Sequence, residues 1–316
     1  MTNLRLDDTR AISIDNQTYQ IEIFRHTQHD ISSTRILIPT LILNDTAKEM
    51  VRVCVANIQK FSVEDVEIWI VDNNSPELYA NWLTQFNPDV NIVLNHTEPV
   101  NPFLKLGLKR KIRSFFATKR QMQDGSYANA IALELGRQVI DSSTHTIFTM
   151  HYDALPTRPG WLKYLKSRLN QSVRAVGYRK NTLRIEALHV AGLLLDYTLF
   201  ESLGLSFMPN MRRERYPDKP EYDVGDQITL QLKAHGFDFE AMPNTFNNPE
   251  FAEHIPFDSP FRQMLACDLC FDDEWNIFFM HLGRGTPKTA NTYKQVPGKV
   301  YPEQWIEFGE KHLFRQ

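Results

Sequence analysis

From Arg35 onward, short apolar runs alternate with stretches of helical spacing, and this alternation restricts the fold more than any other property of the chain. Residues 36–39 (ILIP), 66–71 (VEIWIV) and 91–94 (NIVL) read as buried strands. Between them, residues 46–59 place Met50, Val53 and Ile58 on or near one helical face, and residues 77–86 also read as a helix. Residues 125–139 form another, with Ile131, Leu135 and Val139 in register. Strands interleaved with helices predict an α/β fold: a mainly parallel sheet flanked by helices on both faces.

The most informative single stretch is HTIFTMHYDALPTRPGWL, beginning at His145. An apolar run, Ile147-Phe148-Thr149-Met150, ends abruptly in His151-Tyr152-Asp153. Pro156, Pro159 and Gly160 follow, and a new helix begins near Trp161. Open α/β sheets bind ligands where strands end in this way. A carboxylate there can hold a divalent cation, and the cation a diphosphate. The competing reading is a polar turn after a strand. Asp72-Asn73-Asn74-Ser75 has the same placement after residues 66–71. Asp72 can accept hydrogen bonds from a nucleoside, or the segment can be an Asx-rich turn leading into a helix.

The second half is less regular. Residues 173–176 and 187–195 read as strands, 197–203 as a short helix ended by Gly204, and 208–222 as a polar loop. Residues 224–235 read as a helix ended by Gly236, 237–242 as a strand, 243–260 as loop, and 275–280 as a strand ending at His281. Asp223 and Asp226 stand at the start of that helix, where both can cap it and complement its dipole; an acid there also suits a general base. At the other end of the chain, residues 12–23 alternate weakly and fit a short hairpin turning at Asp15-Asn16. The organisation expected is an N-terminal extension, 1–34, a main domain, 35–243, and a C-terminal segment, 244–316, that completes the site with His281.

Composition removes several function classes. A formal net charge of -3 gives no global attraction to nucleic acid. No apolar stretch approaches the ~20 residues of a membrane span, and the polar start is unlike a secretory signal. Three cysteines, Cys54, Cys267 and Cys270, make no disulfide framework, so a reducing, cytoplasmic setting is expected. The lone pair Cys267/Cys270 has no second pair for a zinc ribbon and reads as free thiols. Neither GxGxxG nor GxxxxGK[ST] follows any strand, against a dinucleotide-binding oxidoreductase or a P-loop NTPase.

Taken in order, the motifs resemble family 2 glycosyltransferases of the GT-A fold. The chain carries Ile38-Pro39-Thr40 at a first strand end and Val71-Asp72-Asn73-Asn74-Ser75 at a second. Next come Gly125 with Asn129 on the following helix, then His151-Tyr152-Asp153 with Pro159-Gly160-Trp161. Asp223 or Asp226 opens a helix closing in Ala234-His235-Gly236-Phe237, and His281 precedes the small-residue run to Thr286. The likeness covers roughly residues 35–243 and 275–286, and His151 departs from the family's first aspartate.

The resemblance implies transfer of a sugar, of hexosyl type and with inversion, from a nucleotide diphosphate sugar to a glycan or lipid-linked acceptor, as in polysaccharide biosynthesis. It implies Mn²⁺ or Mg²⁺ held by Asp153, with His281 as a further ligand. Pro39, Thr40, Asp72, Asn74, Gly125, Asn129 and His151 would line the donor site, and Asp226, or else Asp223, would be the base. A non-catalytic binder of nucleotide sugars or glycans with the same fold is the main alternative. A nucleotidyltransferase would need a glycine-rich, arginine-bearing loop after the first strand, and residues 41–45 (LILND) offer none. The stretch KLGLKRKIRSFFATKR, from Lys105 to Arg120, has seven basic residues and no acid. As an amphipathic helix it would lie on the inner face of an anionic membrane, or else pack on the sheet as a solvated helix.

Overall fold

The computed structural model describes residues 6–26, 30, 32–103, 125–181, 185–213, 215–283 and 300–314. The basic stretch from Lys105 to Arg120 lies outside them, as do residues 284–286. The described strands are β1 (Asp8–Ile14), β2 (Gln17–Phe24), β3 (Thr34–Thr40), β4 (Val66–Asn73), β5 (Val90–Asn95), β6 (Thr146–Met150) and β7 (Ala154–Pro156). They continue with β8 (Val173–Gly177), β9 (Lys180–Asn181), β10 (Ala187–Leu188), β11 (Gly192–Asp196), β12 (Asp238–Ala241), β13 (Asp268–Phe271) and β14 (Ile277–His281). The α-helices are α1 (Asp45–Phe61), α2 (Glu77–Phe86), α3 (Gly125–Val139), α4 (Trp161–Arg168), α5 (Tyr197–Ser202), α6 (Asp226–Ala234) and α7 (Pro302–Phe308).

Nine strands form one sheet in the order β1-β2-β5-β4-β3-β6-β11-β8-β12. Within it only β2 and β11 run against the rest, so the sheet is mostly parallel, as the strand–helix alternation predicts. Its central strands are apolar on both faces because both are covered. Ile36, Ile38, Ile68 and Ile70 point to one side and pack with α1, α2, α4 and α7. Leu37, Trp69 and Val71 point to the other and pack with α3, α5 and α6. Gly136 of α3 permits close approach: a Cβ there would come within 2.9 Å of Val71 Cγ2.

The N-terminal hairpin forms with Asp15 and Asn16 both left-handed, at φ 51° and 64°, the conformation a two-residue turn of this hand requires. It adds to the sheet edge through β2 and β5. Three expectations need correction. Residues 187–195 do not run as one strand: β10 stops at Leu188, the chain turns through His189, and β11 begins at Gly192. The helix expected from 224 starts at Asp226, because Gly225 is left-handed at φ 74° and interrupts it. The strand expected from 275 starts at Ile277, with Trp275 at φ 62° in the preceding turn. A second sheet, β13-β14-β7, was not foreseen, and it builds the site.

Candidate functional site

Because β3, β4 and β6 are parallel and in register, their carboxyl ends share one edge: Thr40 pairs with Asp72, and Leu37 with Thr149. The residue after β6 is His151. There the chain turns, Ala154 N–H donating to the His151 carbonyl at 3.1 Å, and enters β7. Strand β7 pairs antiparallel with β14, setting Ala154 opposite His281, and β14 pairs with β13, setting His281 opposite Asp268. Leu282 N–H donates to the Asp153 carbonyl at 2.9 Å and closes the join. Strand register alone therefore assembles residues far apart in the chain.

The result is a compact donor cluster. His281 Nε2 lies 3.5 Å from Asp153 Oδ1, and His151 Nδ1 lies 3.8 Å from the same oxygen. One ligand atom from each of the three residues falls within 4.8 Å of the other two. Ligands at about 2.1 Å from a common ion stand about 3 to 4 Å apart, so a small inward adjustment suffices. Asp153 and His281 are 7% and 4% exposed, a setting in which an unpaired carboxylate is costly.

The other nitrogen of each imidazole is held from behind. His281 Nδ1 lies 3.1 Å from Asp268 Oδ2 and 3.0 Å from the Tyr178 hydroxyl. Arg179 Nη1 donates to the same Asp268 oxygen at 2.9 Å. His151 Nε2 lies 2.9 Å from the Asn129 side-chain amide. Burial works to lower the His281 pKa, but Asp153 and Asp268 outweigh it and raise it from 6.5 to about 9. Metal-free His281 is thus a cation between two carboxylates, and an ion would take the place of its proton. Burial pushes the Tyr178 hydroxyl well up, so it stays protonated and able to donate. His189 packs beside the cluster, its ring centre 5.7 Å from that of His151 and 6.1 Å from that of His281.

The remaining sequence candidates lie around this edge. Asn129 reaches His151, while Gly125 lies one turn earlier on α3. Pro39 and Thr40 end β3, Pro39 paired with Val71 and Thr40 Oγ1 donating to the Val71 carbonyl at 3.5 Å. Asp72, 1% exposed, accepts from Ser75 N–H at 2.9 Å and from the Ser75 hydroxyl. Both its oxygens thus serve the Asx turn, and the left-handed Asn74, φ 67°, belongs to the same turn. The acids of α6 differ from expectation. The N-cap is Gly225, not Asp223, and Asp226 Oδ2 accepts from Asp223 N–H at 2.8 Å. Asp226 is 2% exposed, whereas Asp223 is half-buried. Their turn presses on the one bearing His189, since a Cβ on Gly225 would come within 2.2 Å of Val190 Cγ1.

Sequence reasoning missed Asp268, Tyr178, Arg179 and His189. Asp268 lies inside the Cys267/Cys270 pair, whose thiols are buried and form no disulfide. Nothing in its spacing points to His281. His189 was hidden in an apolar run that read as unbroken strand.

No known protein family matches the sequence, and no curated protein does. Among solved structures, the chain is similar to an active-site variant of LgtC, at 13% identity and a TM-score of 0.45, over 88% of this chain and 95% of that one. It is also similar to the mannosyltransferase PcManGT from Pyrobaculum calidifontis in complex with GDP-Man and Mn²⁺, at 16% identity and a TM-score of 0.42. That match covers 66% of this chain and 54% of the other, so the chain spans about half of that enzyme's length. A third is 4-diphosphocytidyl-2C-methyl-D-erythritol synthase from Anaerococcus prevotii, at 12% identity and a TM-score of 0.38, over 67% of this chain and 88% of that one. Likeness at this level says nothing of activity. Among the described residues, no helix is long and apolar enough to cross a membrane.

Proposed function

We propose that this chain transfers a glycosyl group from a nucleoside diphosphate sugar to an acceptor hydroxyl, assisted by a divalent ion held by His151, Asp153 and His281. One observation carries the reading. The only cluster of three metal-ligating side chains found among the described residues stands at the sheet edge where β3, β4 and β6 end, the edge at which Thr40 and Asp72 also lie. That edge is where α/β sheets receive nucleotides, and the order of motifs resembles the family 2 glycosyltransferases. When bound, the ion would neutralise charge on a diphosphate leaving group.

The protein's own groups have separable tasks. Pro39, Thr40, Asp72 and Asn74 shape the nucleoside side, and Asn129 steadies His151. Of the two acids at the start of α6, the more exposed Asp223 is the better placed to receive the acceptor proton, with Asp226 fixing its backbone. A single displacement assisted in this way inverts the anomeric centre. Glycan and lipid-linked hydroxyls are the acceptor classes proposed, the latter approached through the basic stretch from Lys105 to Arg120. A second reading, a non-catalytic binder of nucleotide sugars or glycans, is supported by His151, which stands where the resembled family has an aspartate.

The two readings separate on one experiment. Uridine and guanosine diphosphate sugars are incubated with the protein and divalent ion, and release of free sugar is followed. Metal-dependent hydrolysis supports the transferase. Tight donor binding with no hydrolysis or transfer to any added acceptor supports the binder.

A further inference from the structure

The donor set itself carries a preference among ions. We propose that the centre formed by His151, Asp153 and His281 selects a first-row transition ion over Mg²⁺ and Ca²⁺. The inference deepens the glycosyl-transfer reading and rests on it only for the ion's role.

Two of the three ligands are imidazoles. Mg²⁺ and Ca²⁺ are hard ions that take oxygen and, for Mg²⁺, keep most of their water. Imidazole nitrogen favours Co²⁺, Ni²⁺, Fe²⁺ and Zn²⁺, with Mn²⁺ weakest of the transition series. An Asp-x-Asp motif in this place would offer two carboxylates; here the first position is His151.

The surroundings support both rings as ligands. Asp268 accepts at His281 Nδ1, which directs Nε2, the nitrogen 3.5 Å from Asp153, toward the ion. His151 turns Nδ1 toward Asp153 at 3.8 Å and Nε2 toward Asn129 at 2.9 Å. With the Asn129 amide nitrogen donating, the ring proton sits on Nδ1. Turning that amide over presents Oδ1, moves the proton to Nε2 and leaves the Nδ1 lone pair for the ion; the two orientations occupy the same space. The third ring is excluded as a ligand of this kind. His189 Nδ1 accepts from Ala191 N–H at 3.1 Å, so its neutral form carries the proton on Nε2. His189 is then an N–H donor beside the ion, not a fourth ligand to it.

The test is calorimetric titration of the full chain, freed of metal, with MnCl₂, CoCl₂, MgCl₂ and CaCl₂ in turn. Binding of Co²⁺ and Mn²⁺ at least about tenfold tighter than Mg²⁺, with Co²⁺ ahead of Mn²⁺, is expected. The same samples loaded with Co²⁺ should show visible absorption perturbed by nitrogen ligation, a readout that requires no variant. His151→Asp should narrow the Co²⁺ to Mg²⁺ ratio, chiefly by losing Co²⁺ affinity. Equal affinity for Mg²⁺ and Mn²⁺, a Co²⁺ spectrum identical to that of the aqueous ion, or no binding of any ion would overturn the proposal. Nucleoside diphosphate binding is measured separately on each loaded form. Mg²⁺-supported binding as strong as Co²⁺-supported binding would sink the selectivity and leave glycosyl transfer standing.

Discussion

Asp268 and His281 face one another across adjacent antiparallel strands, carboxylate Oδ2 3.1 Å from imidazole Nδ1, although thirteen positions separate them in the chain. This pairing decides which imidazole nitrogen looks into the cluster. Asp268→Asn keeps the size but loses the charge, and its amide can present a donor where an acceptor is needed. Metal affinity should fall about 10- to 100-fold while the fold persists, as for other carboxylates behind a ligating histidine. Calorimetry and a melting curve on the same variant check it. A lowered melting temperature with unchanged affinity would make Asp268 merely structural.

The pKa of His281 sets a pH dependence for the metal-free protein. Its folded value, raised to about 9, exceeds the ordinary 6.5, so the folded state holds the proton more tightly than the unfolded one. The stability gained is fully present below pH 6.5 and is lost as pH rises through about 9. It amounts to about 3 kcal/mol at most. Chemical denaturation at pH 6 and pH 10 should show the loss, and His281→Gln should flatten it. Adding the preferred ion below pH 9 should release a proton, detectable as a buffer-dependent binding enthalpy.

Gly225 joins the acids of α6 to the turn that carries His189. Its φ of 74° and the 2.2 Å approach of a would-be Cβ to Val190 Cγ1 leave no room for a side chain. Gly225→Ala should cost about 2–4 kcal/mol from strain and overpacking together. If Val190 yields instead, His189 moves with it, and nucleotide affinity should drop more than stability. Denaturation and binding measured together distinguish the two.

For the base, Asp223→Asn should cut turnover at least ~100-fold with donor affinity nearly unchanged. Asp226→Asn retains an oxygen to accept from Asp223 N–H, and should reduce turnover by no more than about tenfold. Single-turnover rates decide it. If Asp226→Asn is the variant that abolishes turnover, the two roles are reversed.

Much of this was legible in the sequence because parallel sheet strands advertise themselves. Buried on both faces, β3 and β4 read as apolar runs, interrupted in β4 only by Glu67, and each ends at a polar residue on the shared sheet edge. The C-terminal end of helix α3, at Val139, falls where its spacing put it. What stayed hidden depends on pairing between distant strands. Register alone sets His281 beside Asp153 and Asp268 beside His281, and register between β7, β14 and β13 leaves no periodic trace in any one of them. His189 escaped notice because a two-strand segment broken by a tight turn has the same composition as one continuous strand. Asp72 illustrates a different limit: a strand-end aspartate serves a turn or a nucleoside with the same residue type, and its bonds to Ser75 show the turn while only a binding experiment tests the nucleoside.

Asp153 Oδ1 is the point both imidazoles approach. The decisive measurement is calorimetric titration of uridine and guanosine diphosphate into Asp153→Ala and the unaltered protein, each with saturating Co²⁺ or Mn²⁺ and each with chelator. The unaltered protein should bind at least one nucleotide only when the ion is present. The variant should keep its melting temperature within a few degrees and lose that ion-dependent binding. Equal, ion-dependent affinity in both proteins would contradict the assignment of this cluster as the metal and diphosphate site.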